Sequence, residues 1–205
     1  YLFQFQSLVD ELPRLVSDWV QRRSPRFFNR TFVKSRERAG TEVAVRSLRG
    51  SLPGSAYGLS LYYPDPNGNR TETDAVIMYD DVVLVIESKA GALSYRASRG
   101  DIDRVRRDFA SLVNDAFVQA SRTAEYIRGN GRAVFQDARG NEVLAINGNL
   151  VRRVYLVNVV RDAMDPFAVA LADARRHGLL SNEITDWPWT VFINDLQIVK
   201  GLSNL

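Results

Sequence analysis

Apolar residues recur along this chain at two different periods. Over residues 7–23, Leu8, Leu12, Leu15, Val16, Trp19 and Val20 fall on one side, the spacing of an amphipathic helix. Pro13 sits in its first turns if the helix starts near Asp10, where proline is tolerated. Residues 24–38 are basic and irregular. A second helix is expected over about 40–51, with Val45 and Leu48 facing inward and Leu52-Pro53-Gly54 as its stop. The pattern then turns strand-like: a strand at 56–63, a turn at Pro64–Asn69, and strands at about 71–79 and 82–89. Helical spacing returns in Ile102, Val105, Phe109, Leu112, Ala116, Ala120 and Ile127, predicting a long helix over about 101–128 that ends at Gly129-Asn130-Gly131. A small hairpin around Arg139-Gly140-Asn141, an apolar strand at 154–160, a helix near 166–177 and a strand near 189–194 complete the series. The strands at 75–79, 82–86 and 154–160 are apolar on both faces. That predicts an α/β fold with helices on both sides of the sheet.

The two central strands carry the candidate chemistry. If Asp80-Asp81 is a two-residue turn, Tyr79 pairs with Val82, Val76 with Val85, and Asp74 falls opposite Glu87. Opposed residues share a face, so two carboxylates meet at one strand end. Their repulsion, made worse by burial, calls for a positive partner. Lys89, two residues past Glu87, points to the same face. A plainer arrangement competes: Glu72 lies opposite Lys89 in this register, and a cross-strand ion pair would account for the lysine.

Composition narrows the chemistry. The 205 residues can bury a substantial core, and contain no apolar run long enough to cross a bilayer and no signal-peptide pattern. Cysteine is absent, which excludes a cysteine nucleophile and Cys-based metal sites and is compatible with a reducing cytoplasm. The lone histidine, His177, argues against a histidine-rich zinc site and a Ser-His-Asp triad, and reads as a structural residue near a helix end. A metal site here must use oxygen ligands, which favours Mg²⁺ or Mn²⁺. Net charge is +3, yet 24 of the 27 basic residues are arginine, whose fork matches phosphate geometry; a compositional bias of the genome accounts for the excess equally well. The chain opens on Tyr1 without a methionine, as expected of a piece of a longer protein.

The order helix, three strands, long helix, strand resembles the core of the PD-(D/E)XK nuclease superfamily. The residues that carry the likeness are Asp74 and Glu87-Ser88-Lys89, with twelve residues between Asp74 and Glu87. The phrases Thr71–Ile77 and Val85–Gly91 look like the branch that includes nuclease-related-domain and RecB-like proteins. Gly40-Thr41-Glu42 opens the predicted helix, where that family commonly places a glutamate. Val118-Gln119-Ala120-Ser121-Arg122 falls in the long helix, where that branch often has a Gln-Ala pair. The likeness covers about residues 39–160. One departure is Thr73, where a proline often precedes the motif aspartate.

The resemblance implies a restriction-endonuclease-like mixed central sheet in the order αβββαβ. It implies an N-terminal helical extension at 1–38 and a nuclease-like domain at 39–205. It implies phosphodiester hydrolysis, with Asp74, Glu87, the Ser88 carbonyl and Glu42 holding Mg²⁺ or Mn²⁺, Lys89 serving the attacking water or the phosphate, and Gln119 orienting the lysine. The expected partner is nucleic acid, DNA ahead of RNA, with no membrane, in the cytoplasm. The parent would be a larger defence, restriction or repair protein, and a homodimer is compatible. The alternative is a non-catalytic nucleic-acid-binding or assembly module on the same fold. Arg96, Arg99, Arg104, Arg106 and Arg107 lie close in sequence to Lys89 and, with Arg122, are candidates for the nucleic-acid backbone. Equally, they form a solvated helix face paired with Asp101, Asp103 and Asp108. Tyr95 is a candidate base-stacking residue. Glu42 and Gln119 read alternatively as a solvated helix residue and a surface amide.

Overall fold

The Asp80-Asp81 turn sets the register of the central hairpin. Asp80 takes a left-handed φ of 53°, which closes the chain on itself in two residues. Strands β2 (Arg70–Tyr79) and β3 (Val82–Lys89) then pair antiparallel from Tyr79↔Val82 through Val76↔Val85 to Ala75↔Ile86. The Asp81 carbonyl also accepts the amide of Arg152, and its carboxylate holds the Arg152 guanidinium at 2.6 Å. The turn is thereby fixed to the start of β6 (Arg153–Val160).

The computed structural model describes residues 2–89, 101–160, 176, 178 and 188–202. Its elements are helix α1 (Leu2–Arg23), a short α2 (Pro25–Phe27), a π-turn at Phe28–Phe32 and α3 (Val33–Gly50). After β1 (Ala56–Pro64), β2 and β3 come α4 (Ile102–Phe109), a π-turn at Ala110–Asn114 and α5 (Asp115–Gly129). Strands β4 (Ala133–Gln136), β5 (Glu142–Ile146), β6 and β7 (Trp189–Phe192) follow, then α6 (Ile193–Leu202). Among the described residues the strands form one seven-stranded sheet in the order β5-β4-β1-β2-β3-β6-β7. The sheet is mixed: β3–β6 and β6–β7 are parallel, the other pairs antiparallel.

Each face of the sheet has its own core. On one side Val76, Val83, Val85 and Leu61 pack against Ala120, Ala124 and Ile127 of α5. On the other, Ala75, Ile77, Ile86 and Val157 pack against Ala44, Val45 and Leu48 of α3 and Leu196 of α6. Doubly apolar strands thus have helices on both sides, as their pattern predicts.

Three expectations need correction. Residues 25–38 are helical, not irregular, and α3 runs unbroken from Val33 to Gly50. Glu42 therefore sits mid-helix and not in a first turn. Helix α1 is longer than its apolar stripe suggests and carries Pro13 inside it. Ile193 and Asn194, read as strand, open α6. The common reason is local: a basic stretch without a wide apolar stripe hides a helix, and a short β7 ends where its parallel partner β6 ends. Of the predicted helix at 166–177 only residue 176, which is helical, is among the described residues; His177 lies outside them.

Candidate active site

Pleat alternation breaks at the motif aspartate. Leu59 belongs to the core on the α3 side, yet Leu61, two residues on, belongs to the core on the α5 side. Residues two apart on a regular strand share a face. Ser60 between them has a left-handed φ of 48°, which turns the strand over. The register brackets Asp74 opposite Ser60, through Leu59↔Ala75 and Leu61↔Thr73. β2 turns over with it: Ala75 faces α3, while Thr73 faces the α5 side and reaches Glu87.

The β2–β3 ladder stops at Ala75↔Ile86, one pair short of Asp74 and Glu87, whereas β3 continues along β6 to Lys89↔Val160. Side chains take over where the ladder ends. The Ser88 amide donates to Asp74 Oδ2 at 2.7 Å. In return, the Asp74 amide and the Thr73 hydroxyl, the latter at 2.8 Å, donate to the Glu87 carboxylate. Each acid satisfies backbone that would otherwise lack a partner at the fork.

Glu87 is only 3% exposed. Burial, and next the charge of Asp74, push its carboxyl up to about 8; the Thr73 hydrogen bond and Lys89 oppose this. Asp74 is also raised, first by burial and then by the nearby acids Glu37 and Glu72, against the Ser88 amide and Lys89. Two carboxyls are thus held together with too little positive charge to keep both ionised.

Lys89 does not pair with Glu72. Its ammonium donates to Gln119 Oε1 on α5 at 2.7 Å, and Glu72 lies opposite Tyr62 of β1. Gln119 is held in turn, because Thr123 donates to its carbonyl and shares a hydrogen bond with the buried Tyr63. The structure therefore brings Asp74, Glu87, Ser88, Lys89 and Gln119 together.

It places Glu42 elsewhere, on the flank of α3 in an ion pair with Arg38 at 3.0 Å. The acid of α3 that acts on Asp74 is Glu37. The Thr41 hydroxyl is bonded to the Glu37 carbonyl one turn on, and a Cβ on Gly40 would lie 2.9 Å from Ser88 Oγ. Small residues at 40 and 44 let α3 settle on β3, and Glu37 lies on the same helical face. That spacing, Glu37 to Gly40 to Ala44, is the sequence signal that marks it. Asn158, also missed in the sequence, is opposite Glu87 in β6 and 1% exposed. It donates to the Leu112 carbonyl in the second π-turn at 2.9 Å.

Of the candidate arginines, Arg104 pairs with Asp108 at 3.2 Å and Arg107 donates to the Asp103 carbonyl. Arg106 is exposed on the same helix, and Arg122 is exposed on α5, its charge felt by Tyr63 and Asp65. Arg96, Arg99 and Tyr95 lie outside the described residues. No protein-family model matches this chain, and no curated protein matches it. Among the described residues no helix is long and apolar enough to cross a membrane.

Proposed function

We propose that this chain is a divalent-metal-dependent nuclease on a restriction-endonuclease-like αβββαβ core, hydrolysing phosphodiester bonds, in DNA ahead of RNA. One observation carries the reading: Asp74 and Glu87 meet at the fork of β2 and β3, each bonded to the other's strand, with the Lys89 ammonium beside them. A purely structural fork would gain from a neutral pair there, since burying like charges is costly.

The residues fit a divalent cation. The donors are hard oxygens, which suit Mg²⁺ or Mn²⁺, and a cation between the two acids would offset the burial and the Asp74 charge that raise the Glu87 carboxyl. Asp74, Glu87 and the Ser88 carbonyl would hold the ion, with Glu37 better placed than Glu42 to support it. When bound, the cation would supply Lewis acidity towards phosphate and make a nearby water more acidic than bulk water. The chain's own residues supply the rest. Thr73 fixes the orientation of the Glu87 carboxylate. Lys89, steered by Gln119, offers a compact charge to a phosphate oxygen as negative charge develops there. Tyr63 and Thr123 hold the helical turn that carries Gln119. The absence of cysteine suits a reducing cytoplasm, where we place it.

A second reading, a non-catalytic nucleic-acid-binding module on the same fold, draws on a specific observation. Among the described residues no group of three acidic, histidine or cysteine side chains is placed to hold a metal ion. Plasmid incubation with Mg²⁺ or Mn²⁺, with EDTA and Lys89→Ala controls, decides between them. Nicking by the wild type that chelator and substitution both abolish is the expected result. Equal nicking by Lys89→Ala rejects the site, and calorimetric titration showing no uptake of Mn²⁺ favours the module.

A further inference from the structure

The N-terminal helices carry a charge pattern that the site does not use. Between Arg22 and Arg38 the sequence has seven cations (22, 23, 26, 30, 34, 36 and 38) and a single acid, Glu37. That acid lies on the side of α3 that meets β3 and acts on Asp74. Arg26, Arg30, Lys34 and Arg38 are four residues apart on consecutive helical segments, and all four are exposed. In a regular α-helix such a row drifts by about 40° per step, because four residues make slightly more than one turn. The wider π-turn at Phe28–Phe32 takes up part of that drift and keeps the row on one side. The row therefore follows one side of the helix, advancing about 6 Å per step where the helix is α. Among the described residues, Arg26, Arg30 and Lys34 make no ion pair, while Arg38 pairs with Glu42. The ridge runs into the stretch of α3 that packs on β3, where Glu37 acts on Asp74 and a Cβ on Gly40 would lie 2.9 Å from Ser88 Oγ, while Arg38 itself stays on the helix flank with Glu42.

We infer that Arg26, Arg30 and Lys34 form a track for the phosphate backbone of the nucleic acid and lead it to the Asp74–Glu87 fork. The proposal rests on the nuclease reading for its partner, but binding along the ridge is measurable without cleavage. Three observations favour a polyanion over a solvated surface face. The cations recur every four residues along continuous helical segments, they make no ion pair among the described residues, and Glu37 lies on the side that meets β3. Phosphate contacts of this kind set affinity and register and are read in the salt dependence of binding. The α4 arginines are less suited, because Arg104 and Arg107 are already engaged within their own helix.

The test is fluorescence anisotropy of a labelled DNA duplex with the full chain in EDTA, from about 50 to 200 mM salt, the range over which phosphate contacts weaken. The triple variant R26Q/R30Q/K34Q should bind at least about tenfold more weakly and lose about one unit of log–log salt slope per cation removed. All three side chains are exposed, so the fold should persist, which circular dichroism checks. A control triple at the far edge of the sheet and the end of α5, R128Q/R132Q/R139Q, changes net charge equally and should leave the slope unchanged. An unchanged slope in the ridge variant, or an equal loss in the control, overturns the track while leaving the nuclease reading intact. A wild type that binds no duplex but sediments with anionic phospholipid vesicles also overturns it, and would assign the ridge and the exposed Leu12, Leu15, Val16 and Trp19 of α1 to a lipid surface. Failure of cleavage with the ridge effect present would instead remove the nuclease and keep the track.

Discussion

The ammonium of Lys89 in β3 and the side-chain oxygen of Gln119 in α5 are 2.7 Å apart, thirty residues from each other along the chain. This contact joins the strand that carries the candidate chemistry to the helix covering it. It holds a long, flexible side chain in one place, which is what a charge aimed at a phosphate oxygen requires.

Lys89→Ala should lower the rate of phosphodiester cleavage by about 10²–10³-fold, the scale of losing one well-placed stabilising group. Gln119→Ala should lower kcat by a smaller factor, about tenfold, with duplex affinity unchanged. Single-turnover cleavage and anisotropy measure both. A Gln119→Ala protein as fast as the wild type would make the contact incidental.

Stability should fall with rising pH when metal is absent. Glu87 binds its proton more tightly in the folded chain, at about 8, than its ordinary value of 4.5. Its contribution is fully present below the unfolded value and is lost as pH rises through 8. Asp74 shifts in the same direction and acts in the same sense. Urea midpoints in EDTA should decline between pH 5 and 8, and Glu87→Gln should flatten that decline. A wild-type midpoint that climbs over this range would contradict the arrangement. Mn²⁺ added at pH 8 should restore stability in the wild type and not in Glu87→Gln.

Gly40 and Ser88 should be coupled. A Cβ on Gly40 would sit 2.9 Å from Ser88 Oγ, so Gly40→Ala forces the helix and strand apart and should cost about 1–3 kcal/mol. In a Ser88→Ala background the hydroxyl is gone and the cost should shrink, giving a coupling energy of about 0.5 kcal/mol or more in a double-mutant cycle. Strict additivity would place the helix further from the strand than the structure does.

Ser60 should be a strained hinge of the sheet. Its φ of 48° suits glycine better than any branched side chain. Ser60→Gly should be neutral or stabilising by up to about 1 kcal/mol, and Ser60→Val destabilising by about 1–3 kcal/mol. If Ser60→Val still folds, Thr73 should lose its place at Glu87 and cleavage should drop with it. Equal stability and activity in both variants would remove the link between the two residues.

Much of the framework was legible in the order of residues. The Asp80-Asp81 turn fixed the pairing Val76↔Val85, because a two-residue loop leaves no room for slip. Apolar runs in β3 and β6 required cover on both faces, and the stripe from Phe109 to Ile127 named one of the covering helices. The helix at 25–39 was hidden, since its exposed cations and scattered aromatics show no wide apolar face.

The chain's own order determined which side chains stand at the end of the β2–β3 hairpin, because period and turn chemistry act between near neighbours. Only the packed molecule decided how they meet. A left-handed Ser60 in the adjacent strand turns β2 over at Asp74, so Thr73 takes the place facing Glu87 and Asp74 turns to the Ser88 amide. It also decided that Glu37, and not Glu42, approaches from α3, through the contact of Gly40 with Ser88. Both depend on elements far apart in sequence, whose distance and helical phase are set by side-chain volume, which local periodicity does not encode.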